Sequence, residues 1–251
     1  MGWPIKDPAR LLHTIAPLGL AVALISALAA LLSGLGHRWE WWDYRFGFTV
    51  LKWAAWGGIA GAAISLCACL LSAGRKRALL AGLLGVAIGV PAFGLPWTMR
   101  YQARDLPPIH DITTDTANPP QFAAILPLRK NAANSAEYGG DKIAALQKKG
   151  YPDIIPLVIE APPAAAFERA LRVARESGWK IVAATPAQHR IEATARTLLF
   201  GFRDDVVIRV TPAGDGSRID IRSVSRVGRS DLGANARRIR GFLNAMRASS
   251  Q

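Results

Sequence analysis

The sequence predicts an α+β protein: three N-terminal transmembrane helices precede a small domain in which an antiparallel sheet of about four to five strands packs on helices. Three observations support this fold class. Hydrophobic residues make up 51% of the 251 residues and the mean hydropathy is +0.17, which is too apolar for one ordinary soluble domain. Long apolar stretches are confined to residues 1–104, and alternating apolar and polar residues follow in residues 105–251. These two ranges are the predicted domains.

The first predicted span, residues 11–35, contains no Asp, Glu, Lys or Arg and exceeds the about 20 apolar residues that cross a bilayer core. A cleaved signal peptide is the alternative, because Lys6 and Arg10 precede the stretch and residues 27–29 resemble a cleavage site. The apolar region of a signal peptide has only about 7 to 15 residues, so the length favours an uncleaved anchor.

Two further spans are predicted at residues 49–72 and 78–97. Pro91 and Pro96 are expected to kink or end the third helix, because proline has no amide hydrogen and clashes with the preceding turn. Small residues at every fourth position indicate helix contact seams, although glycine and alanine are also simply common in such helices. The seam residues are Gly57, Gly61 and Ser65 in the second span, and Gly85 and Gly89 in the third.

Basic residues in the connections predict the orientation in the membrane. Five lie at the N terminus and in the second connection: Lys6, Arg10, Arg75, Lys76 and Arg77. Four lie on the opposite side: Arg38, Arg45, Arg100 and Arg104. Six tryptophans mark that opposite side as an interfacial belt: Trp39, Trp41, Trp42, Trp53, Trp56 and Trp97. The sequence therefore predicts a multi-pass membrane protein with a cytoplasmic N terminus and a C-terminal domain on the opposite side of the membrane.

Residues 105–163 contain nine of the sixteen prolines, which indicates irregular chain, but they are too apolar for a solvated linker. We expect this segment to wrap on the folded domain. Helices are predicted at 141–149, from Pro163 to Gly178, and at 231–247. Four strands are predicted between the last two helices: 179–184, 190–198, 205–211 and 217–227.

The last of these strands alternates between two kinds of side chain, so one face is expected to pack and the other to contact water. The packed face comprises Ile219, Ile221, Ser223 and Ser225. The face expected to contact water comprises Arg218, Asp220, Arg222 and Arg226.

The net charge of +13 divides into +7 for residues 1–104 and +6 for residues 105–251. Neither part carries the concentrated basic field of a nucleic-acid-binding protein, so no nucleic acid is expected as a partner. The sequence contains no nucleophile elbow, phosphate-binding glycine loop, dinucleotide fingerprint or zinc-site spacing. We therefore predict no metal, cofactor or catalytic residue, and an enzyme is disfavoured.

The strongest local cluster runs from a strand through a glycine turn into a helix start. It comprises Ser225, Arg226, Gly228, Arg229, Asp231 and Asn235. Free amides at a helix start beside two arginines could hold a phosphate or carboxylate. The alternative is that Asp231 caps the helix, where its carboxylate would oppose a bound anion.

A second cluster offers side chains used for metal binding or acid–base chemistry, although these residues also favour turns: His110, Asp111, Thr114 and Asp115. The planar guanidinium group of arginine can donate two parallel hydrogen bonds to a carboxylate or a phosphate. Arg222 and Arg226 are therefore candidates for anion recognition. Three acidic residues could form a carboxylate pair, although a charged outer sheet face is the simpler interpretation: Glu192, Asp204 and Asp205.

Four ordered motifs in this half are similar to a known family: residues 110–115, 118–122, 151–156, and 223–235 with Arg238 and Ile239. Over about residues 105–247 the chain resembles the bacterial and plastid family of domain of unknown function 1499. The resemblance implies no reaction, cofactor or ligand. It marks the two clusters and Arg222 either as a shared binding site or as a shared folding nucleus.

With the resemblance to a bacterial family, we therefore expect a non-enzymatic protein of the bacterial inner membrane whose periplasmic domain binds a partner protein, a lipid or an envelope component. One alternative is a carrier of a small apolar or anionic ligand, with the final helix gripping the sheet around a cavity. A hydrolase or transferase that uses His110 and Asp115 is the other alternative.

Overall fold

The computed structural model describes residues 8–72 and 75–248, and the side chains from residue 14 onward. Lys6 and the C-terminal three residues lie outside the described residues, and so does the side chain of Arg10. The chain divides into two compact units. One comprises Met1–Arg104 with Leu198–Gly201, and the other comprises Asp105–Thr197 with Phe202–Gln251.

The first unit contains three long helices: α1 Pro8–Arg38, α2 Tyr44–Leu71 and α3 Lys76–Gln102. Each contains a stretch long and apolar enough to cross a membrane. Of the two effects expected of Pro91 and Pro96, ending the helix does not occur, because α3 continues through both. In an apolar environment an interrupted helix would leave several backbone groups without partners, which favours continuing the helix past a proline.

Glycine and serine positions of the predicted seams face neighbouring helices within this one chain. A Cβ atom on Gly61 would lie 2.7 Å from the backbone nitrogen of Ala23 in α1, and a Cβ on Gly89 would lie 3.0 Å from that of Ala62 in α2. Real Cβ atoms essentially never approach to under 3.0 Å, so glycine is required where α1 and α2 meet. Small residues thus let the three helix backbones approach closely.

The second unit is an antiparallel sheet with helices on one face. Its strands are β1 Asp111–Thr113, β2 Leu157–Ile159, β3 Lys180–Thr185, β4 Arg190–Arg196, β5 Arg203–Ala213 and β6 Gly216–Ser225. Its helices are α4 Gly140–Gly150, α5 Pro163–Glu176 and α6 Ala234–Ala248. The strand order is β1-β6-β5-β4-β3, and β2 also pairs with β6. The six-stranded sheet thus exceeds the expected four to five because the Pro-rich segment supplies two short edge strands.

The inner face of the sheet forms the main core against α5 and α6. Its fully buried members include Ile208 and Ile221 from the sheet, Phe167 from α5, and Ile239 and Phe242 from α6. Apolar residues recur every three to four positions in α5 and α6, so each helix presents one apolar face to the sheet.

The outer face of the sheet is buried as well, which corrects the expectation that one face of β6 contacts water. Asp220 and Arg222 are 0% exposed. Residues of the Pro-rich segment lie across this face, where Phe122 and Ile125 pack with Val207 and Val224. The alternating pattern was correct, but charged side chains can be buried when a partner of opposite charge is buried beside them.

Candidate functional site

Arg222 is enclosed by the Pro-rich segment. Its Nε and Nη2 atoms donate to the two carboxylate oxygens of Asp111 at 2.9 and 2.7 Å. The guanidinium also donates to the carbonyl oxygens of Pro120 and Ala136. It lies 5.2 Å from the ring centroid of Phe122 and 5.4 Å from that of Tyr138. This arrangement fixes the segment on the sheet and leaves no open face for a ligand.

The hydroxyl of Tyr138 lies at the edge of this cluster. Burial raises the pKa of Tyr138 to about 12; the Asp111 carboxylate adds to the increase, and the Arg222 guanidinium opposes it. Within the part of the chain that the structure describes, the hydroxyl has no hydrogen-bond partner. It therefore remains protonated throughout the neutral range and cannot serve as a base there.

Arg226 belongs to a different cluster, centred on Asp205. Arg226 donates to both oxygens of this fully buried carboxylate at 2.9 and 2.8 Å. Arg129 donates to it at 2.5 Å, and the hydroxyl of Thr194 does so at 2.8 Å. Arg222 and Arg226 therefore do not form one anion site, because each is committed to a separate carboxylate.

Asp115 and Thr114 join a third cluster at the other end of β6. Asp115 accepts hydrogen bonds from Arg209 and Arg218 at 3.1 and 2.8 Å, and both arginines also bind Asp220. The Thr114 hydroxyl accepts the backbone N–H of Ile221 at 2.9 Å. The Asp115 carboxylate also caps a turn by accepting two backbone amides, as the turn interpretation of this motif expected.

Asn235 joins strand, loop and helix on the inner side. Its amide nitrogen donates to the carbonyl of His110 and to the hydroxyl of Ser225, both at 3.0 Å. Its carbonyl accepts from Ser223 at 2.7 Å and from Arg238, which in turn binds Asp204 at 2.6 Å. The side chain is 0% exposed, so its donors and acceptor are used internally.

Asp231 caps α6. Its two oxygens accept the backbone N–H groups of Gly233 at 3.0 Å and Asn235 at 2.6 Å. Burial raises the pKa of the Asp231 carboxyl, although these two amides act in the opposite direction. The capping alternative is thus the observed one, and the carboxylate occupies the position that a bound phosphate would need.

His110, Gly228 and Arg229 are the predicted site residues closest to the surface. The Nδ1 atom of His110 lies 3.4 Å from the carbonyl oxygen of Arg229, whose side chain is exposed. Gly228 has φ of +94°, a backbone conformation that favours glycine, and its carbonyl accepts from Asn134. His110 and Asp115 thus belong to different hydrogen-bond networks.

Sequence reasoning missed the role of Glu192. Its carboxylate is 1% exposed and accepts the backbone N–H groups of Ala123, Ala124 and Ile125 at 3.0, 3.1 and 3.0 Å. Glu192 therefore holds the Pro-rich segment rather than pairing with Asp204 or Asp205. A lone acidic residue within an apolar strand was the available signal, since such a residue needs buried donors.

Two further polar residues that fix the segment gave no distinctive sequence signal. Gln147 in α4 exchanges two hydrogen bonds with the backbone of Thr113, at 2.9 and 2.6 Å. Arg129 also donates to the carbonyls of Asn134 and Ser135.

Two grooves on the described part of the chain are large enough to hold a small molecule. One, of about 430 Å³, is an open groove beside β2 and the β5–β6 turn, lined in part by Val158, Glu160 and Asp215. The other, of about 380 Å³, is an apolar groove between α1 and α2. Neither of these two lies between the sheet and α6, where Ile239 and Phe242 are buried. Among residues 8–72 and 75–248, no group of three His, Cys, Asp or Glu could hold a metal ion.

The fold and these clusters define a class: an antiparallel α+β domain with a buried ion-pair layer, preceded by three helices capable of crossing a membrane. The family model described as protein of unknown function (DUF1499) matches residues 111–246, from the first residue of β1 into α6. The match covers more than half of the chain, so the chain belongs to this family, as the motifs predicted. No curated protein matches the chain.

Proposed function

We propose that this protein is a non-catalytic binding protein of the bacterial inner membrane, anchored by α1–α3, whose C-terminal domain binds an anionic component of the envelope. The three helices supply the anchor by their length and hydropathy. The N terminus is cytoplasmic and the domain periplasmic, a proposal supported by the basic residues of the connections.

A binding rather than catalytic role is supported by the state of the motif side chains. The carboxylates of Asp111, Asp115 and Asp205 each accept hydrogen bonds from arginine, and that of Asp231 caps a helix. A general base or nucleophile must be able to reach a substrate, and these groups are committed to the fold instead.

The observation that carries the proposal is the separation of charge between interior and surface. Residues 105–251 contain 21 Lys and Arg and 15 Asp and Glu. Seven of the carboxylates and seven arginines form the internal clusters: Asp111, Asp115, Glu192, Asp204, Asp205, Asp220 and Asp231, with Arg129, Arg190, Arg209, Arg218, Arg222, Arg226 and Arg238. The 14 basic and 8 acidic residues that remain lie at exposed or half-exposed positions. The charges within the clusters balance, so the net positive charge of this part of the chain is carried by the remaining, more exposed residues.

Part of this charge is concentrated on the helical layer. The outer surfaces of α5 and α6 form what we call the basic helical face, with exposed arginines at Arg172, Arg175, Arg237 and Arg247. Glu168 and Glu176 are the exposed acidic residues of these two helices. Several positive charges on one face attract clustered negative charge, as in an acidic protein segment or an anionic headgroup.

The test is recovery of the bound component from native membranes. Full-length protein is purified in mild detergent, and the proteins and lipids that accompany it are identified by mass spectrometry. We expect Arg172→Glu with Arg175→Glu to abolish recovery of a stoichiometric component. Lys148→Glu with Lys149→Glu on α4 reverses the same amount of exposed charge elsewhere and should leave recovery intact.

Two results would contradict the proposal. If both charge-reversal pairs recover the same components as the unmodified chain, the basic helical face does not bind. If the purified chain turns over an envelope substrate, the protein is an enzyme. A C-terminal fusion reporter that is active only outside the cytoplasm tests the orientation separately.

A further inference from the structure

Helix α2 is longer than the apolar part of a bilayer requires. Its 28 residues extend about 42 Å, whereas the hydrocarbon core of a bilayer is about 30 Å thick. Residues 53–71 contain no Asp, Glu, Lys or Arg, and at about 1.5 Å per residue they extend close to the thickness of that core. The first residues of the helix, 44–52, therefore lie at the headgroup level when α2 spans a membrane.

Two basic side chains occupy this headgroup-level segment. Arg45 and Lys52 are two helical turns apart, so they lie on the same side of α2, and both are exposed. Side chains of a helix tilt toward its N terminus, so the apolar stem of Lys52 extends toward Arg45 and toward the headgroups. The segment thus presents two positive charges on one side.

In the part of the chain that the structure describes, both basic groups contact aromatic rings rather than carboxylates. The guanidinium of Arg45 lies 5.5 Å from the ring centroid of Tyr44, and the ammonium of Lys52 lies 5.4 Å from that of Trp53. Asp43 is the adjacent acidic residue, and its carboxylate caps α2 by accepting the backbone N–H of Arg45. Contacts with a ring face leave the N–H groups of a cation able to donate to an anion.

An apolar groove begins beside these charges. It lies between α1 and α2, has a volume of about 380 Å³, and is lined in part by Ile25 and Ala29 of α1 and by Phe46, Val50 and Trp53 of α2. Trp53 belongs to both features, since its ring lines the groove and also contacts the ammonium of Lys52. The groove therefore extends from the level of the two basic groups toward the apolar core of the bilayer.

A phospholipid combines the two kinds of chemistry that this arrangement fits. Its phosphate accepts charge-assisted hydrogen bonds from guanidinium and ammonium groups, and its acyl chains fill apolar grooves. A lipid with a net negative charge complements two cations better than a zwitterionic one, whose headgroup brings a positive charge of its own. Charge complementarity thus selects an anionic phospholipid as the occupant.

We infer that the groove between α1 and α2 binds an anionic phospholipid, whose phosphate is held by Arg45 and Lys52 and one of whose acyl chains occupies the groove. The inference rests on the membrane placement of α1–α3 and not on the partner of the basic helical face. All residues of this lipid site belong to the helical unit.

The experiment measures lipid binding to the full chain in mild detergent by native mass spectrometry. Phosphatidylglycerol and phosphatidylcholine with the same acyl chains are titrated separately, and the dissociation constant of the first bound lipid is obtained for each. Glycerol phosphate is the third probe, because it has the anionic headgroup without acyl chains. We expect phosphatidylglycerol to bind more tightly than phosphatidylcholine, increasing salt to weaken its binding, and glycerol phosphate not to bind.

Charge variants test the two basic residues. Each basic residue near an anionic surface contributes about fivefold, so Arg45→Gln with Lys52→Gln should weaken the binding of phosphatidylglycerol about 30-fold. Arg45→Lys with Lys52→Arg retains both charges and should retain binding. Arg75→Gln with Lys76→Gln is the matched control, since it removes one exposed arginine and one exposed lysine at the start of α3, and it should leave binding unchanged.

A groove variant tests the acyl chain. Ala29→Phe fills the groove without changing any charge and should weaken the binding of both lipids. Unchanged affinity in this variant, or glycerol phosphate that binds as tightly as phosphatidylglycerol, overturns the assignment of the groove to an acyl chain.

Equal affinity for the two lipids, or an equal loss of affinity in the control pair, overturns the assignment of Arg45 and Lys52 to a lipid phosphate. The lipid comparison and the salt titration use the unmodified chain, so they decide the matter even if a variant does not fold. A chain that stays in solution without detergent would contradict the membrane anchor itself. Loss of the partner in Arg172→Glu with Arg175→Glu should leave the bound lipid in place, so the two proposals fail separately.

Discussion

Replacing Arg222 by methionine should release the Pro-rich segment from the sheet. Methionine keeps much of the side-chain volume and removes the charge, so Asp111 is left buried without its partner. The carbonyls of Pro120 and Ala136 lose their donor in the same step. Because these contacts lie on both sides of Phe122, the segment loses its attachment at two points.

The expected magnitude follows from the burial of the pair. Removing one partner of a buried ion pair costs about 3–5 kcal/mol, and Arg222 is 0% exposed. At about 1.4 kcal/mol per factor of ten, this corresponds to about 100- to 4000-fold faster hydrogen exchange in residues 111–138, limited by the rate of an unprotected chain. Hydrogen exchange of the full chain in detergent, followed by mass spectrometry of peptides, measures this segment directly.

Two control variants make the result interpretable. Asp111→Leu combined with Arg222→Met removes both charges and should destabilise the segment less than the single change does. Arg240→Met breaks a partly exposed pair with Asp153, whose pKa Arg240 lowers, and should change stability by about 1 kcal/mol or less. If exchange in residues 111–138 is the same in Arg222→Met as in the unmodified chain, the cluster does not hold the segment and the reasoning is refuted.

Three further predictions address other parts of the molecule. Glu192→Ala leaves three backbone donors without an acceptor and should lower the free energy of unfolding by about 1–3 kcal/mol, measured by denaturant titration; Glu192→Gln should cost less. Gly61→Leu places a side chain against the α1 backbone and should reduce the thermal stability of the helical unit, whereas Gly94→Leu, with no atom within 4 Å of its Cβ position, should not. Because the pKa of Tyr138 is raised from 10.0 to about 12, the stability contributed by its neutral form is complete below pH 10 and is lost as the pH rises towards 12. A pH titration of unfolding should therefore flatten over this range in Tyr138→Phe, and identical titrations in both chains would contradict the assignment.

The sequence predicted the helices and the central strands because their periodicity is local. The apolar spacing of α5 and α6 and the alternation in β6 are visible without any knowledge of distant residues. Strand β1 is different, since its three residues form a strand only through pairing with residues 222–224. Local periodicity carries no information about a pairing that spans more than a hundred residues.

The candidate site illustrates the same limit. The sequence indicated the correct residue types, because Arg, Asp, Ser and Asn in such motifs are polar groups that need partners. It did not indicate with which carboxylate each arginine would form an ion pair. Asp111 and Arg222 are 111 positions apart, and Arg226 meets Asp205 instead of sharing a ligand with Arg222. The crossing of the Pro-rich segment over the sheet determines the first pair, and the register of β5 against β6 determines the second.

The ion-pair layer also explains why membership of this family says more about the fold of the domain than about an activity. A proline-rich segment with few regular hydrogen bonds cannot hold itself on a sheet, so directional contacts from Arg222, Arg226 and Glu192 must do so. Residues from all three clusters lie in the motifs by which the chain resembles the family. Those motifs therefore specify how the segment is fixed, which leaves the surfaces outside them for the partner that we propose. The basic helical face is one such surface, and it does not depend on opening the buried layer.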